Sequence, residues 1–329
     1  MRVEGARVLV TGAGGFIGSH LVEALVRRGA RVTAMVHYDA RADHSNLELV
    51  APDVRGAVEV VAGDVEDPYF VSSVVRGQDV VFHLAALIAI PFSYVAPASF
   101  VATNVTGTLA VLEACRTHGT RRLVHTSTSE TYGSAQYTPI DEKHPLQGQS
   151  PYSASKIGAD KLAESYHLSF GLPVATIRPF NTYGPRQSAR AVIPTVISQA
   201  LSSPTIRLGS LTPVRDLNFV LDTVEGFIAV AESDAAVGQV VNVGSGSAIT
   251  IGDLVKLILR LMGVQKEIVT DEQRVRPEKS EVLTLLCDRR KAEAITGWKP
   301  QHTLEQGLAA TIEFVRKNGD RFRPDVYNR

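Results

Sequence analysis

Tyr152-Ser153-Ala154-Ser155-Lys156 sets a phenol and an ammonium four residues apart, which on a helix places both on one face. An ammonium beside a phenol favours the phenolate, so the pair predicts a Tyr152 pKa drawn down towards that of a useful general base. Taken alone, the spacing fits a solvated surface pair equally well. A second cluster lies upstream, where His125-Thr126-Ser127-Thr128-Ser129-Glu130 closes a strand-like run. Open parallel sheets bind ligands at the carboxyl ends of their strands. Thr128 is placed there to orient a substrate hydroxyl towards Tyr152. Glu130 is placed to remove a carbon-bound proton that a neighbouring carbonyl has acidified. The plain alternative is an N-cap cluster with Glu130 as a solvated first-turn acid.

Near the N-terminus, Thr11-Gly12-Ala13-Gly14-Gly15-Phe16-Ile17-Gly18 stands between a first apolar strand and a first helix. In that position Gly12 makes the tight turn, Gly15 admits a pyrophosphate and Gly18 lets helix and strand approach closely. The helix start, with Phe16 and Ile17, then offers free N–H groups to the phosphates. Dinucleotide binding is the expectation. NAD enzymes hold the ribose with an acid at the end of the second strand, but here that strand runs into Met35-Val36-His37-Tyr38-Asp39-Ala40-Arg41. His37 occupies the strand end, Asp39 comes late and Arg41 is placed to meet a 2′-phosphate. Local chemistry leaves NAD and NADP both open. Asp64, followed by Val65, fits either an adenine contact or a loop-capping acid.

These groups need a framework to bring them together. Arg7 to Thr11, Arg31 to Val36, Val58 to Val61, Asp79 to His83 and Arg121 to Thr126 read as strands. Helical stretches lie between most of them, the first from Gly18 to Arg28 and ended by Gly29. The alternation predicts an α/β chain with a Rossmann-like, doubly wound parallel sheet. After Val174 to Arg178 the pattern loosens, punctuated by Pro179, Pro185, Pro194, Pro204 and Pro213. A helix at about Asp222 to Glu232 and a strand at Gln239 to Val243 read as a return to the sheet. Helices around Ile251 to Met262 and Leu304 to Lys317 fit a smaller C-terminal α/β lobe. The expected division is interleaved: 1–180 with a return segment of about 218–243 for the dinucleotide, and 181–217 with 244–329 for the substrate.

Composition excludes several classes. Of 329 residues 44% are hydrophobic, and 34 basic side chains balance 34 acidic ones. A nucleic-acid binder needs a basic excess, and a neutral chain has no general attraction to an anionic membrane. The longest apolar run, Leu84 to Ile90, is far short of the ~20 residues of a membrane helix. The N-terminus lacks a signal-peptide pattern, so a cytoplasmic protein is expected. Cys115 and Cys287 stand alone, which argues against a disulfide framework or a Cys-based zinc site. His83 and His125 sit in apolar strands and read as packed rather than ligating; no metal is expected.

Together the glycine loop, the Thr-Ser-Glu run and the Tyr-Lys pair resemble the extended short-chain dehydrogenase/reductase family. So do Leu84-Ala85-Ala86, Asn104 and Arg178-Pro179-Phe180-Asn181-Thr182-Tyr183-Gly184-Pro185-Arg186. The resemblance implies a two-lobed cytoplasmic homodimer that acts on a nucleotide-linked sugar with tightly held NAD. It also implies cofactor contacts at Val65, Leu84, Ala85, Ala86, Asn104, Thr126 and Pro179. Leu84 to Tyr94, Gln147 to Lys156, Pro185 to Pro194 and Arg276 to Val282 look like the 4,6-dehydratases of legionaminic-acid biosynthesis, which act on nucleotide-linked N-acetylglucosamine. In dTDP-glucose 4,6-dehydratases an Asp acid stands at the position of Ser129, so here Glu130 is left to do both proton jobs with Ser129 assisting.

The implied cycle takes the 4-hydroxyl proton to Tyr152, held by Lys156, while hydride leaves C4 for the cofactor. Glu130 then removes the C5 proton, the C6 hydroxyl leaves as water, and the hydride returns to C6. Substrate grip falls to Arg215 and Arg276, whose guanidinium forks match phosphate oxygens, and to Asn181. Ile88 is also assigned to the substrate, with Val192, Ile193 and Leu208 walling the nucleobase. A surface ion pair is the alternative for each arginine. Rival activities are a UDP-glucuronate decarboxylase, which shares the Ser-Glu pair, and a 4-epimerase, which gives Glu130 no task. An NAD(P)-sensing regulator would need neither Glu130 nor the Tyr-Lys pair.

Overall fold

The computed structural model describes residues 1–275 and 277–322, without the side chain of Glu278. Short Val-rich runs form β1 (Arg7–Thr11), β2 (Arg31–Val36), β3 (Glu59–Ala62), β4 (Val80–His83), β5 (Arg122–Thr126) and β6 (Val174–Pro179). The chain then leaves this layer through β7 (Asn181–Tyr183), β8 (Thr205–Leu208) and β9 (Val214–Phe219) and returns with β10 (Val240–Val243). The large sheet has the order β3-β2-β1-β4-β5-β6-β10, and every pairing in it is parallel. The order reverses between β1 and β4, which opens a crevice at their carboxyl ends. Register aligns Thr11 with His83 and His83 with His125 across those ends.

Successive strand residues point to opposite faces, and both faces here are covered. Among the described residues, twelve α-helices do the covering and build the second lobe. They begin with α1 (Phe16–Arg27), α2 (Pro52–Gly56), α3 (Pro68–Val75), α4 (Ile90–Ser93), α5 (Pro97–Val101) and α6 (Gly107–His118). They continue with α7 (Pro151–Phe170), α8 (Val192–Ser202), α9 (Val220–Glu232), α10 (Ile251–Met262), α11 (Arg290–Thr296) and α12 (Leu304–Lys317). Val8, Val10, Phe82 and Val124 pack against Leu21 and Leu25 of α1 and Phe227 of α9. Leu9, Val81 and Leu123 face the other way, against Val71 of α3, Leu112 of α6 and Ala163 of α7. The α/β doubly wound expectation is met.

Several boundaries differ from the sequence reading by one or two residues: α1 begins at Phe16 and ends at Arg27, α9 begins at Val220, β3 runs over Glu59–Ala62, and β4, β5 and β10 each start one residue later. The run from Pro97 to His118 is also continuous, α5 and α6 being joined by a π-helical turn over Ala102–Thr106. At 22 residues it is long and apolar enough to cross a membrane by length and composition, which counting an unbroken apolar run missed. It packs against α3 and α7 as a core helix.

The second lobe has its own core, in which Val196 and Ile197 of α8 meet Leu254 and Ile258 of α10 and Leu308 and Ile312 of α12. Its sheet joins β9 to β7, β11 (Ala248–Thr250) and β13 (Thr284–Leu285), while β8 pairs with β12 (Glu267–Thr270). Not all of residues 244–322 belong to it. Ala292 of α11 and Trp298 lie in the core under the large sheet. The Trp298 indole donates to the Asp222 carbonyl at 2.9 Å, and the Asp222 carboxylate receives the amides of Gln301 and His302. Trp298→Ala is expected to lower unfolding stability by about 3–5 kcal/mol through the cavity it leaves. Trp298→Phe should cost about 1 kcal/mol for the lost hydrogen bond. Denaturant midpoints followed by circular dichroism check both.

Candidate active site

The glycine loop sits where the topology opens. Gly12 has φ +70° and a Cβ there would stand 2.7 Å from the Ala85 nitrogen, while one at Gly18 would overlap the Gly12 carbonyl. Both positions therefore require glycine. Thr11 fixes the opposite wall: its hydroxyl receives the amides of Leu84 and Ala85, each at 3.1 Å. The first turn of α1 has no side-chain cap, so its N–H groups are left for a ligand. The cleft extends from this turn to the second lobe and encloses about 940 Å³, at the upper end for a small-molecule site.

On the other side of the cleft the start of α7 is fixed by a capping box. Ser150 receives the Ser153 amide at 3.1 Å, Ser153 receives the Ser150 amide at 3.0 Å, and Pro151 opens the first turn. Tyr152 and Lys156 follow on one face, 7% and 4% exposed, with the Phe100 ring edge-on to the phenol at 6.2 Å. Thr128 caps the 3₁₀ turn Ser129–Tyr132 by receiving the Glu130 amide at 3.3 Å, and its side chain also hydrogen-bonds the phenol. The N-cap reading of this cluster is thus true of Thr128. Glu130, however, is half-buried and lines the cleft.

The electrostatics correct one expectation. Burial holds the Tyr152 phenol above its ordinary range, the Glu130 and Asp160 charges push the same way, and only the Thr128 hydrogen bond opposes them. A phenol lowered by Lys156 is not found. Burial instead pushes the Lys156 ammonium down to about 8, with Asp160 opposing. In a dry crevice both charged forms are disfavoured, and pair spacing carries no information about that.

Most of the residues singled out in the sequence line this one cleft. They include Gly12, Gly15, Phe16, Ile17, Gly18 and His37 on the nucleotide side, and Leu84, Ala85, Ala86, Ile88, Thr126 and Pro179 around the middle. Thr128, Ser129, Glu130, Tyr152 and Lys156 line it after β5 and at the start of α7; Asn181, Val192, Ile193, Leu208 and Arg215 lie on the second-lobe side. The Thr126 hydroxyl and the Asn181 amide oxygen are buried with no hydrogen-bond partner, which suits a bound ligand.

Three expected cofactor contacts do not line the cleft. Asn104 receives the Leu87 amide at 2.8 Å and donates to the Leu87 carbonyl and the Ser155 hydroxyl, both at 2.9 Å, tying the 84–90 segment to α7. Val65 is packed beside Gly107. Asp64 receives the Glu66 amide at 2.9 Å through one oxygen, and its other oxygen lies 3.3 Å from the His37 ring, which itself lines the cleft. Arg215 carries an ion pair with Glu281 at 3.0 Å, buried inside the cleft rather than on the surface. Arg276 lies outside the described residues. Glu281 was missed although it stands in the quoted Arg276 to Val282 segment; Asp160, four residues beyond Lys156, was missed although the same i+4 step reaches it.

A parallel sheet with a glycine loop at its switch point and a buried Tyr-Lys pair across the crevice defines a dinucleotide-dependent enzyme of the extended short-chain dehydrogenase/reductase type. The family model for GDP-mannose 4,6 dehydratase matches residues 9–311, and the chain belongs to that family of sugar-nucleotide dehydratases and epimerases. It is 35% identical over 316 residues to a dTDP-glucose 4,6-dehydratase from Streptomyces antibioticus, spanning 94% of this chain and 92% of that one. The dTDP-glucose 4,6-dehydratase from Streptomyces venezuelae, solved with NAD and TYD bound, superposes with TM-score 0.86 at 32% identity, covering 97% and 99% of the two chains. The UDP-glucuronic acid 4-epimerase from Bacillus cereus, solved with UDP-glucuronic acid and NAD, gives TM-score 0.86 at 26% identity over 95% and 99%.

Gly18→Val should push α1 off the glycine loop and lower dinucleotide affinity at least about tenfold, or 1.4 kcal/mol. Titration calorimetry with NAD and with NADP measures the loss and which of the two binds.

Proposed function

We propose that this chain is an NAD-dependent 4,6-dehydratase of a nucleotide-linked hexose, with UDP- or GDP-linked N-acetylglucosamine as substrate. The observation that carries it is a carboxyl group, Glu130, in the same cleft wall as Tyr152 and close enough to act on its charge. A 4-epimerase has no task for such a group. Ser129 in place of the Asp acid of dTDP-glucose enzymes favours a different sugar nucleotide, although the relatives at 35% and 32% identity carry the dTDP-glucose name.

The fit to NAD rests on the glycine cradle, the uncapped α1 turn and the unpartnered Thr126 hydroxyl. When bound, NAD supplies the acceptor and later the donor of the C4 and C6 hydride. Lys156 would hold its ribose. Thr128 orients the sugar 4-hydroxyl, and Tyr152 receives its proton in the phenolate form, the form that burial in the free cleft disfavours. Glu130 takes the C5 proton made acidic by the new 4-ketone and gives it to the departing C6 hydroxyl, so that water leaves; when C6 is reduced, C5 regains a proton, which balances the one Tyr152 took from the 4-hydroxyl. Ser129, 2% exposed beside it, assists by hydrogen bonding. Arg215 and Asn181 would hold the diphosphate, with Val192, Ile193 and Leu208 against the base.

Incubation with UDP- and GDP-linked N-acetylglucosamine, dTDP-glucose and UDP-glucuronate, followed by product mass, tests the proposal. Loss of one water from an N-acetylglucosamine nucleotide is expected. Loss of carbon dioxide, or unchanged mass with inverted C4, would replace this function with a decarboxylase or an epimerase. Glu130→Gln should leave C4 oxidation detectable as reduced-nicotinamide absorbance while slowing water loss about 10²–10⁴-fold.

A further inference from the structure

Beyond the cleft-lining pair, α7 repeats its i+4 step once more, from Tyr152 through Lys156 to Asp160, 6% exposed. Asp160 does not line the cleft and so does not touch substrate. Both of its oxygens are engaged from the sheet. One meets the His125 Nε2 at 3.0 Å; the other receives the Ser127 hydroxyl at 2.6 Å and the Arg178 guanidinium at 2.7 Å. Arg178 also donates to the Ser127 hydroxyl at 3.1 Å and lies 4.6 Å over the Tyr132 ring. The carboxylate is therefore fixed by β5 and β6 at the point where α7 presents Lys156.

The charges facing this point can be enumerated by element. His83 on β4 and His125 on β5 are held below their ordinary values by burial and stay neutral at pH 7. Lys156 on α7 and Arg178 on β6 are buried cations, and Glu130 stands across the cleft wall. Glu142, His144, Lys161, Glu164 and His167 line a separate cavity of about 410 Å³ that also reaches Asp160 and Arg178. Without Asp160, the buried Lys156 ammonium would lose the opposing charge that offsets its burial. Such a site sheds a proton from the lysine, because a guanidinium does not give one up.

We propose that Asp160 is a positioning residue whose fixed carboxylate keeps Lys156 charged and aligned for the reaction at Tyr152. This rests on the function proposed for Tyr152 and Lys156, so the test includes a readout that needs no turnover. Competitive acetylation of the purified protein from about pH 6 to about pH 10, quantified by mass spectrometry on the peptide bearing Lys156, reports the pH at which the amine becomes nucleophilic. In the wild type that midpoint should lie near 8.

Asp160→Asn keeps the shape and removes the charge. Its midpoint should fall by about one pH unit or more, and kcat above neutral pH should fall about tenfold with KM for the nucleotide sugar nearly unchanged. Asp160→Glu should restore the wild-type midpoint. An unchanged midpoint in Asp160→Asn would overturn the proposal, as would failure of Asp160→Glu to restore it. If Asp160→Asn does not fold, Asp160→Asn with Arg178→Gln removes both buried charges together, a change cores tolerate better than one orphaned charge. The Lys156 midpoint should still fall in that double variant, and a wild-type value would again refute the role. Absence of dehydratase activity in the wild type would sink the proposed function while leaving the acetylation result to decide on Asp160.

Discussion

Burying a lysine and a tyrosine together in a crevice dry enough for proton transfer is the constraint on which the rest of the site depends. Water no longer supports either charged form, so the phenol rises and the ammonium falls. A lysine displaced from 10.5 to about 8 carries a penalty of about 3 kcal/mol on its charged form. That is the scale on which one well-placed carboxylate decides whether the side chain is protonated. The sheet supplies that carboxylate's setting. His125 and Arg178 project from the adjacent parallel strands β5 and β6, paired from Leu123–Val174 to Thr126–Ile177, and the Ser127 amide just beyond β5 donates to the Ile177 carbonyl at 2.8 Å, so Asp160 is held by the large sheet.

The same sheet explains why the crevice is so rich in hydroxyls and amides. Strand ends and loop starts leave backbone groups unpaired, and a buried unpaired amide is costly. Thr11 pairs two such amides beside the glycine loop, Asn104 pairs both backbone groups of Leu87, and Thr128 caps the turn that carries Glu130. Each short polar side chain settles local backbone needs without filling the cleft. The result is a cavity whose walls are held from behind, with the Thr126 hydroxyl and the Asn181 oxygen left over to meet a ligand.

How far the sequence could be read follows from the range of each signal. Strands and the glycine loop were legible because both are local. A Val-rich run between breakers and a glycine triplet between strand and helix need no knowledge of distant residues. The Tyr-Lys pair was legible as a pair, but the direction of the Tyr152 shift was not, since burial depends on Phe100 and on the second wall of the cleft. Asn104 and Val65 were assigned to the cofactor by likeness and Asp64 from its place after the third strand, whereas their partners Leu87, Gly107 and His37 are set by tertiary packing. Arg215 was seen as a cation and its partner Glu281 was not, because 66 residues separate them in sequence. The continuous Pro97–His118 helix escaped a count of unbroken apolar residues because polar Ser99, Thr103, Asn104 and Thr106 interrupt the run.

The Arg215–Glu281 pair also bears on how the cleft treats charge. A bare guanidinium buried at the second-lobe wall would cost several kcal/mol, and Glu281 offsets that cost inside the cleft itself. Any anion that engages Arg215 must therefore compete with a carboxylate already in place. A diphosphate competes well, since it offers more oxygen acceptors to the planar fork than one carboxylate does, whereas a single carboxylate gains nothing by the exchange. The pairing thus favours ligands that carry a diphosphate over singly charged ones, in the same cleft that Tyr152 and Glu130 line. Under the proposed function, selection for the nucleotide falls to the small sheet around β9 and chemistry on the sugar to the carboxyl ends of the large sheet and the start of α7.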